Sequence, residues 1–120
     1  MGSLASELEQ TTKATSVSVT DETITVDLED GRTLTVPTVW YPRLLHATPR
    51  ERAEYEIDRV GVSWPAVEAD FSIRGLLLGR KSGESPQSFR FWMTNRRRGR
   101  KVKFEEYVTE KRKKVARKST

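Results

Sequence analysis

The densest chemistry in this sequence is cationic. Arg96, Arg97, Arg98, Arg100, Lys101 and Lys103 place six cations in eight residues, and Lys111, Arg112, Lys113 and Lys114 open a second run continued by Arg117 and Lys118. Side chains of this type at this density neutralise phosphates and release condensed counterions, so binding weakens steeply with salt. They are the candidate nucleic-acid contacts, for DNA or RNA. Arg98-Gly99-Arg100 also matches the centre of hooks that lay two arginines in a minor groove, though the flanking prolines are missing. A solvated tail explains the same run, as does a segment that docks on an acidic partner or on the acidic front part of this chain.

Aromatic residues are interleaved with the cations. Phe89, Trp92 and Met93 stand at i, i+3 and i+4, and Phe104, Tyr107 and Val108 repeat that spacing. Phe89, Phe91, Trp92, Phe104 and Tyr107 could stack on unpaired bases. Residues at helical spacing also pack against another element. Here that means either a hairpin of two helices around Gly99 or a helix that enters a partner's groove. Phe89, Trp92, Met93, Phe104 and Tyr107 are the candidate partner-binding residues.

Other chemistry is sparse. Glu54, Glu56 and Asp58 alternate, which on a strand would place them on one wet face. Paired carboxylates can do acid–base work, but no nucleophile or histidine accompanies these. His46 is the sole histidine and cysteine is absent, which removes disulfides, thiolate zinc sites and a cysteine nucleophile. No catalytic residue, metal, cofactor or small-molecule substrate is expected, and the chain is not expected to be an enzyme.

The charge has an uneven layout. The 120 residues sum to +5, but residues 1–80 carry 8 basic and 13 acidic side chains, a net of −5. Residues 81–120 carry 14 basic and 4 acidic, a net of +10. The basic balance that suggests a polyanionic partner therefore belongs to the last third. The longest apolar run is Leu76-Leu77-Leu78, and Met1 to Thr20 lacks the basic start and apolar stretch of a signal peptide. A cytoplasmic protein with no membrane partner is the expectation.

Four segments follow: a flexible arm at 1–13, a small α+β domain at 14–80, a linker at 81–86 and a basic helical tail at 87–120. From Thr15 to Val36 the apolar period is two, which predicts strands with one buried face. Opposing Val26 to Leu34 also opposes Ile24 to Val36 and leaves Glu29-Asp30-Gly31 as a three-residue loop. A tight Asp30-Gly31 turn would set Leu34 against Asp27 and is rejected. Val19 opposite Ile24 brings Val17 opposite Val26, completing an antiparallel meander. Pro37 ends the third strand, and Trp40, Leu44 and Leu45 have helical spacing. Thr48-Pro49-Arg50-Glu51 is a capping box for a short helix to about Tyr55. Tyr55–Val62 reads as a fourth strand, interrupted near Gly61 and stopped by Ser63-Trp64-Pro65. Ser72 caps a last helix through Ile73, Leu76 and Leu77, ending at Gly79. The expected core is Val17, Val19, Ile24, Val26, Leu28, Leu34, Val36, Trp40, Leu44, Leu45, Ile57, Val62, Trp64, Ile73, Leu76 and Leu77.

These front-domain residues carry a resemblance. Thr25-Val26-Asp27-Leu28-Glu29-Asp30-Gly31-Arg32, Val36-Pro37, Tyr41-Pro42-Arg43-Leu44 and Ala47-Thr48-Pro49-Arg50-Glu51-Arg52 occur in order, followed by Ser63-Trp64-Pro65 and Asp70-Phe71-Ser72-Ile73-Arg74-Gly75-Leu76-Leu77. Over about residues 15–80 the chain resembles the bacterial family called domain of unknown function 2442. The resemblance implies a small α+β domain without assigned enzymatic activity. It also implies kinship with components of toxin–antitoxin gene pairs, some of which carry an added helix-turn-helix. The tail does not match a helix-turn-helix.

The fold expected is α+β: an antiparallel β-meander with short helices on one face, followed by a basic helical tail. The function expected is that of an antitoxin-like interaction protein. It would bind a partner protein, toxin-like and encoded nearby, and DNA or RNA through the tail. A stand-alone nucleic-acid-binding module is the alternative.

Overall fold

The computed structural model describes residues 12–100 and 104–118. The chain divides into two compact units, the first ending at Ser82 and the second beginning at Gly83.

The first unit opens with the meander. Strands β1 (Ala14–Val19), β2 (Thr23–Leu28) and β3 (Thr33–Pro37) form an antiparallel sheet in that order. Val17 faces Val26, which faces Leu34; Val19 faces Ile24, which faces Val36. This is the register that the apolar pattern requires. On the middle strand Ile24 and Val26 are wholly buried, while Val17, Val19 and Leu34 on the outer strands are half-buried. An edge strand has one strand neighbour, so its side chains keep an open flank. Gly31, at φ +93°, closes the β2–β3 loop, where the Leu28 amide donates to Arg32 O at 2.8 Å. The register shifts between Ala14 and Ser16, a bulge the alternation did not reveal. Thr12, within the expected arm, is buried and its hydroxyl donates to the Asp30 carboxylate at 3.3 Å.

Pro37 ends β3 and a 3-10 turn follows at Thr38–Trp40. The helical spacing of Trp40, Leu44 and Leu45 resolves into that turn and helix α1 (Pro42–Leu45), with Tyr41 between them at φ −129°. Pro42 has no amide hydrogen to continue a helix from upstream, so it starts a new one. Helix α2 (Pro49–Ala53) carries the expected capping box: the Glu51 amide donates to Thr48 Oγ1 at 3.1 Å and the Thr48 amide to Glu51 Oε1 at 2.8 Å.

The region after α2 differs from the single strand expected over 55–62. It is a second antiparallel sheet of β4 (Glu56–Ile57), β5 (Gly61–Trp64) and β6 (Ala69–Ser72). The chain turns at Asp58, whose carboxylate accepts from the amides of Val60 and Gly61, both at 2.8 Å. That Asx-type turn competes with extended backbone and breaks the run. Glu54 therefore ends α2, Glu56 lies on β4 and Asp58 forms the turn, so the three do not share a strand face. Ser72 then caps helix α3 (Ile73–Leu77), its hydroxyl accepting from the Gly75 amide at 2.9 Å.

The core joins both sheets. Ile24, Val26, Leu44, Val62, Trp64, Ile73 and Leu76 are buried as expected, and Tyr41, Val67 and Phe71 join them. Rings run in series: Tyr41 to Phe71 at 5.3 Å, Phe71 to Trp64 at 5.3 Å, and Trp64 to Tyr55 at 6.2 Å. Arg43 is also buried, and one of its guanidinium nitrogens donates to Val67 O at 3.0 Å. The second unit holds helices α4 (Pro86–Arg97) and α5 (Phe104–Lys118).

Candidate nucleic-acid interface

Helix α4 begins at the end of the Pro/Gly/Ser-rich stretch. Ser85 is its N-cap, accepting from the Ser88 amide at 3.1 Å, and Pro86 is its first residue. The Ser88 hydroxyl donates back to Glu84 Oε2 at 2.7 Å. Its buried stripe is Ser88, Trp92 and Asn95, while Phe89 and Met93 are half-buried. Apolar spacing pointed to Phe89-Trp92-Met93 and so missed two polar members. Ser and Asn carry no hydropathy signal, although Asn95 repays its burial by donating to Phe91 O at 2.9 Å.

The aromatics make ring contacts with one another. Phe89 lies 5.9 Å from Trp92, and Phe91 lies 5.5 Å from Tyr107, which bridges α4 to α5. The Arg96 guanidinium sits over the Trp92 ring at 5.0 Å, a cation–π arrangement that ties down one cation of the run.

At the end of α4 the backbone settles the geometry of Arg98-Gly99-Arg100. Gly99 is at φ +72°, its amide donates to Arg96 O at 3.0 Å, and the Arg100 amide donates to Asn95 O at 2.8 Å. This is a Schellman closure with glycine at the left-handed position. The triplet is therefore a helix cap and does not lie as a flat minor-groove hook. Cations here also face the negative end of the helix dipole, a stabilising role that needs no ligand.

Among the described cations, Arg97, Arg98, Arg100, Lys111, Arg112 and Lys113 are exposed. Arg90, outside the dense run, is exposed as well and lies seven residues before Arg97. That spacing is two helical turns, so the pair shares a face about 10.5 Å apart along the axis. Lys101 and Lys103 lie outside the described residues, as do the side chains of Phe104 and Lys114.

Between α4 and α5 lies a cleft of about 660 Å³. Arg98, Arg100 and Lys113 line it together with Glu105, Glu106 and Glu110, and Phe91, Thr94, Asn95 and Thr109 complete the wall. Three of the four acidic residues after position 80 thus face the same space. Among the described residues the cationic field of the second unit is uneven: opposed by carboxylates in the cleft and exposed outside it at Arg90, Arg97, Lys111 and Arg112.

The first unit has other electrostatic features. Hydrogen bonds from Ser16 and then Thr33 hold the Asp27 carboxyl below the usual carboxylate range. Arg32 does the same for Asp30, and the amides of Gly61 and Val60 for Asp58. Burial raises the Tyr41 phenol, helped by nearby Asp70, and its hydroxyl donates to Arg80 O at 2.9 Å. These groups are bound into turns, ladders and packing. Among the described residues no cluster of three or more His, Cys, Asp or Glu could hold a metal ion. No helix among them is long and apolar enough to cross a membrane.

The family model described as Protein of unknown function (DUF2442) matches residues 14–82, and the chain belongs to that family. The match stops where the first unit stops, so the second unit lies outside it. Two solved structures are similar. One is a protein of unknown function from Rhodospirillum rubrum, 25% identical, covering 61% of this chain and 93% of that one at a TM-score of 0.51. The other is an uncharacterized protein from Chromobacterium violaceum, 28% identical, covering 70% of this chain and 75% of that one, also at 0.51. No curated protein matches the chain.

Proposed function

We propose that the protein is a non-catalytic interaction protein whose second unit contacts the phosphate backbone of nucleic acid, with the first unit as its folded platform. The observation that carries this reading is the division of labour on α4 and α5. The rings contact one another, whereas Arg90, Arg97, Lys111 and Arg112 are exposed and lie outside the acidic cleft. Exposed cations beside rings already engaged favour phosphate over base, hence little sequence preference. Minor-groove insertion and recognition-helix readout are not part of the proposal.

The antitoxin-like reading, in which a partner protein also binds, is favoured by the half-burial of Phe89, Phe91, Met93 and Tyr107. Such side chains leave area for a partner to cover. The family resemblance supports the same reading.

The test of the main reading is a replacement series in the full chain, R90Q/R97Q/K111Q/R112Q, titrated against labelled duplex and single-stranded DNA. The salt slope for duplex should fall by about 0.9 for each phosphate contact removed. Tight binding with an unchanged slope would refute it.

A further inference from the structure

The cleft of the second unit carries an inference that rests on the proposed phosphate contact and deepens it. We infer that Glu105, Glu106 and Glu110 act as a built-in competitor for phosphate, restraining Arg98, Arg100 and Lys113 across the cleft.

The geometry is specific. The cleft lies between two helices that Phe91 and Tyr107 hold together, with ring centres 5.5 Å apart. Its charged lining is three cations against three carboxylates. Among the described residues none of these six makes a salt bridge within 4.0 Å of another. Across the cleft, then, the described carboxylates and cations face one another without a tight pair, and the carboxylates' field reaches the space a phosphate would enter.

Two physical consequences follow. A phosphate approaching Arg98 or Arg100 through the cleft meets three like charges lining the same space, a repulsion that salt screens over a Debye length of ~8 Å at physiological ionic strength. Only a ligand with enough phosphates to displace that field gains the inner cations. The outer cations Arg90, Arg97, Lys111 and Arg112 have no such opposition from the cleft, so a polyanion engages them first. The glutamates thus act on affinity through the arginines and need not touch the ligand.

The experiment compares two variants of the full chain with equal charge change. E105Q/E106Q/E110Q removes the cleft carboxylates. E22Q/E29Q/E56Q removes three exposed carboxylates of the first unit. Each is titrated against a labelled DNA duplex of about 20 base pairs at low and at physiological salt. The cleft variant should bind about tenfold tighter than the parent at low salt, with a steeper salt slope and a gain that shrinks as salt screens the field. The control should change by less than about threefold. E110Q alone, clear of the first turn of α5, should give a smaller gain of the same sign and guards against loss of helix in the triple variant.

Equal gains in both triples would reduce the effect to net charge and overturn the inference, while leaving the phosphate-contact reading intact. So would a cleft variant no tighter than a parent that binds. If the parent fails to bind but the cleft variant binds, the competitor role stands. If neither binds at low salt, both the inference and the reading beneath it fall.

Discussion

The indole Nε1–H of Trp64 donates to the backbone carbonyl of Arg52 at 3.1 Å. It links the middle strand of the second sheet to α2. The Arg52 guanidinium, from the same residue, donates to Leu44 O at 3.0 Å and Leu45 O at 2.8 Å, and pairs with Asp21 at 3.0 Å. One residue thus connects the β1–β2 turn, the end of α1 and the buried tryptophan. Trp64 is wholly inaccessible and packs between Tyr55 and Phe71 with tilted rings. Trp64→Phe should remove the hydrogen bond and leave a cavity, costing about 2–4 kcal/mol. Chemical denaturation followed by tyrosine fluorescence or far-UV circular dichroism checks it.

Gly61 on β5 leaves no room for a side chain against the backbone of β6. A Cβ placed there would lie 2.0 Å from Phe71 O and 2.8 Å from the Ser72 Cα. Those atoms belong to β6, the hydrogen-bonded neighbour of β5, and cannot swing aside as a side chain can. Gly61→Ala should therefore cost about 3 kcal/mol or more and separate β5 from β6. Amide exchange in β6 should accelerate well beyond that in β2, and equal protection of the two strands would contradict the expectation.

The Thr48 cap is a smaller device with a defined magnitude. Its side chain satisfies the Glu51 amide, and the box is completed by Glu51. Thr48→Ala should lower stability by about 1 kcal/mol without changing the fold. A shift of that size in the denaturation midpoint at constant slope is the expected readout.

Acid should loosen the first unit in a particular window. Asp27, Asp30 and Asp58 have carboxyls held below the ordinary value by hydrogen bonds and, for Asp30, by Arg32. In the unfolded chain an aspartate takes up its proton near pH 3.9. Between that pH and the lower folded value the unfolded state binds more protons, so stability rises with pH. The contribution is complete above about pH 4 and is lost as pH falls through the folded values. Urea midpoints should be flat from pH 7 to 5 and drop below 4, with a shallower drop in D58N.

Much of the meander was legible because two constraints agree. Period-two alternation fixes a face, and apolar-on-apolar opposition fixes which residues meet; together they specify Val17–Val26–Leu34 and Val19–Ile24–Val36. The Thr48–Glu51 capping box and the Ser72 cap were legible because caps are local. The second sheet was not. Its strands are two to four residues long, too short for a period. Its decisive turn is a carboxylate bonded to two amides, which sequence spacing does not announce. Val67 lies in the turn at 65–68 between β5 and β6, and Phe71 lies on β6, so their burial was hidden with the sheet. In the tail, the density of cations was visible but its compensation was not, because Glu105, Glu106 and Glu110 meet Arg98 and Arg100 only when α4 and α5 fold against each other.

The central claim is that the second unit grips nucleic-acid backbone through its outer cations. The most direct measurement is the salt dependence of duplex binding by the full chain. Four outer contacts predict a slope of log affinity against log salt of about −3.6, with little difference between unrelated sequences. No binding at low salt by either the chain or its E105Q/E106Q/E110Q variant, or affinity that ignores salt, would contradict the account.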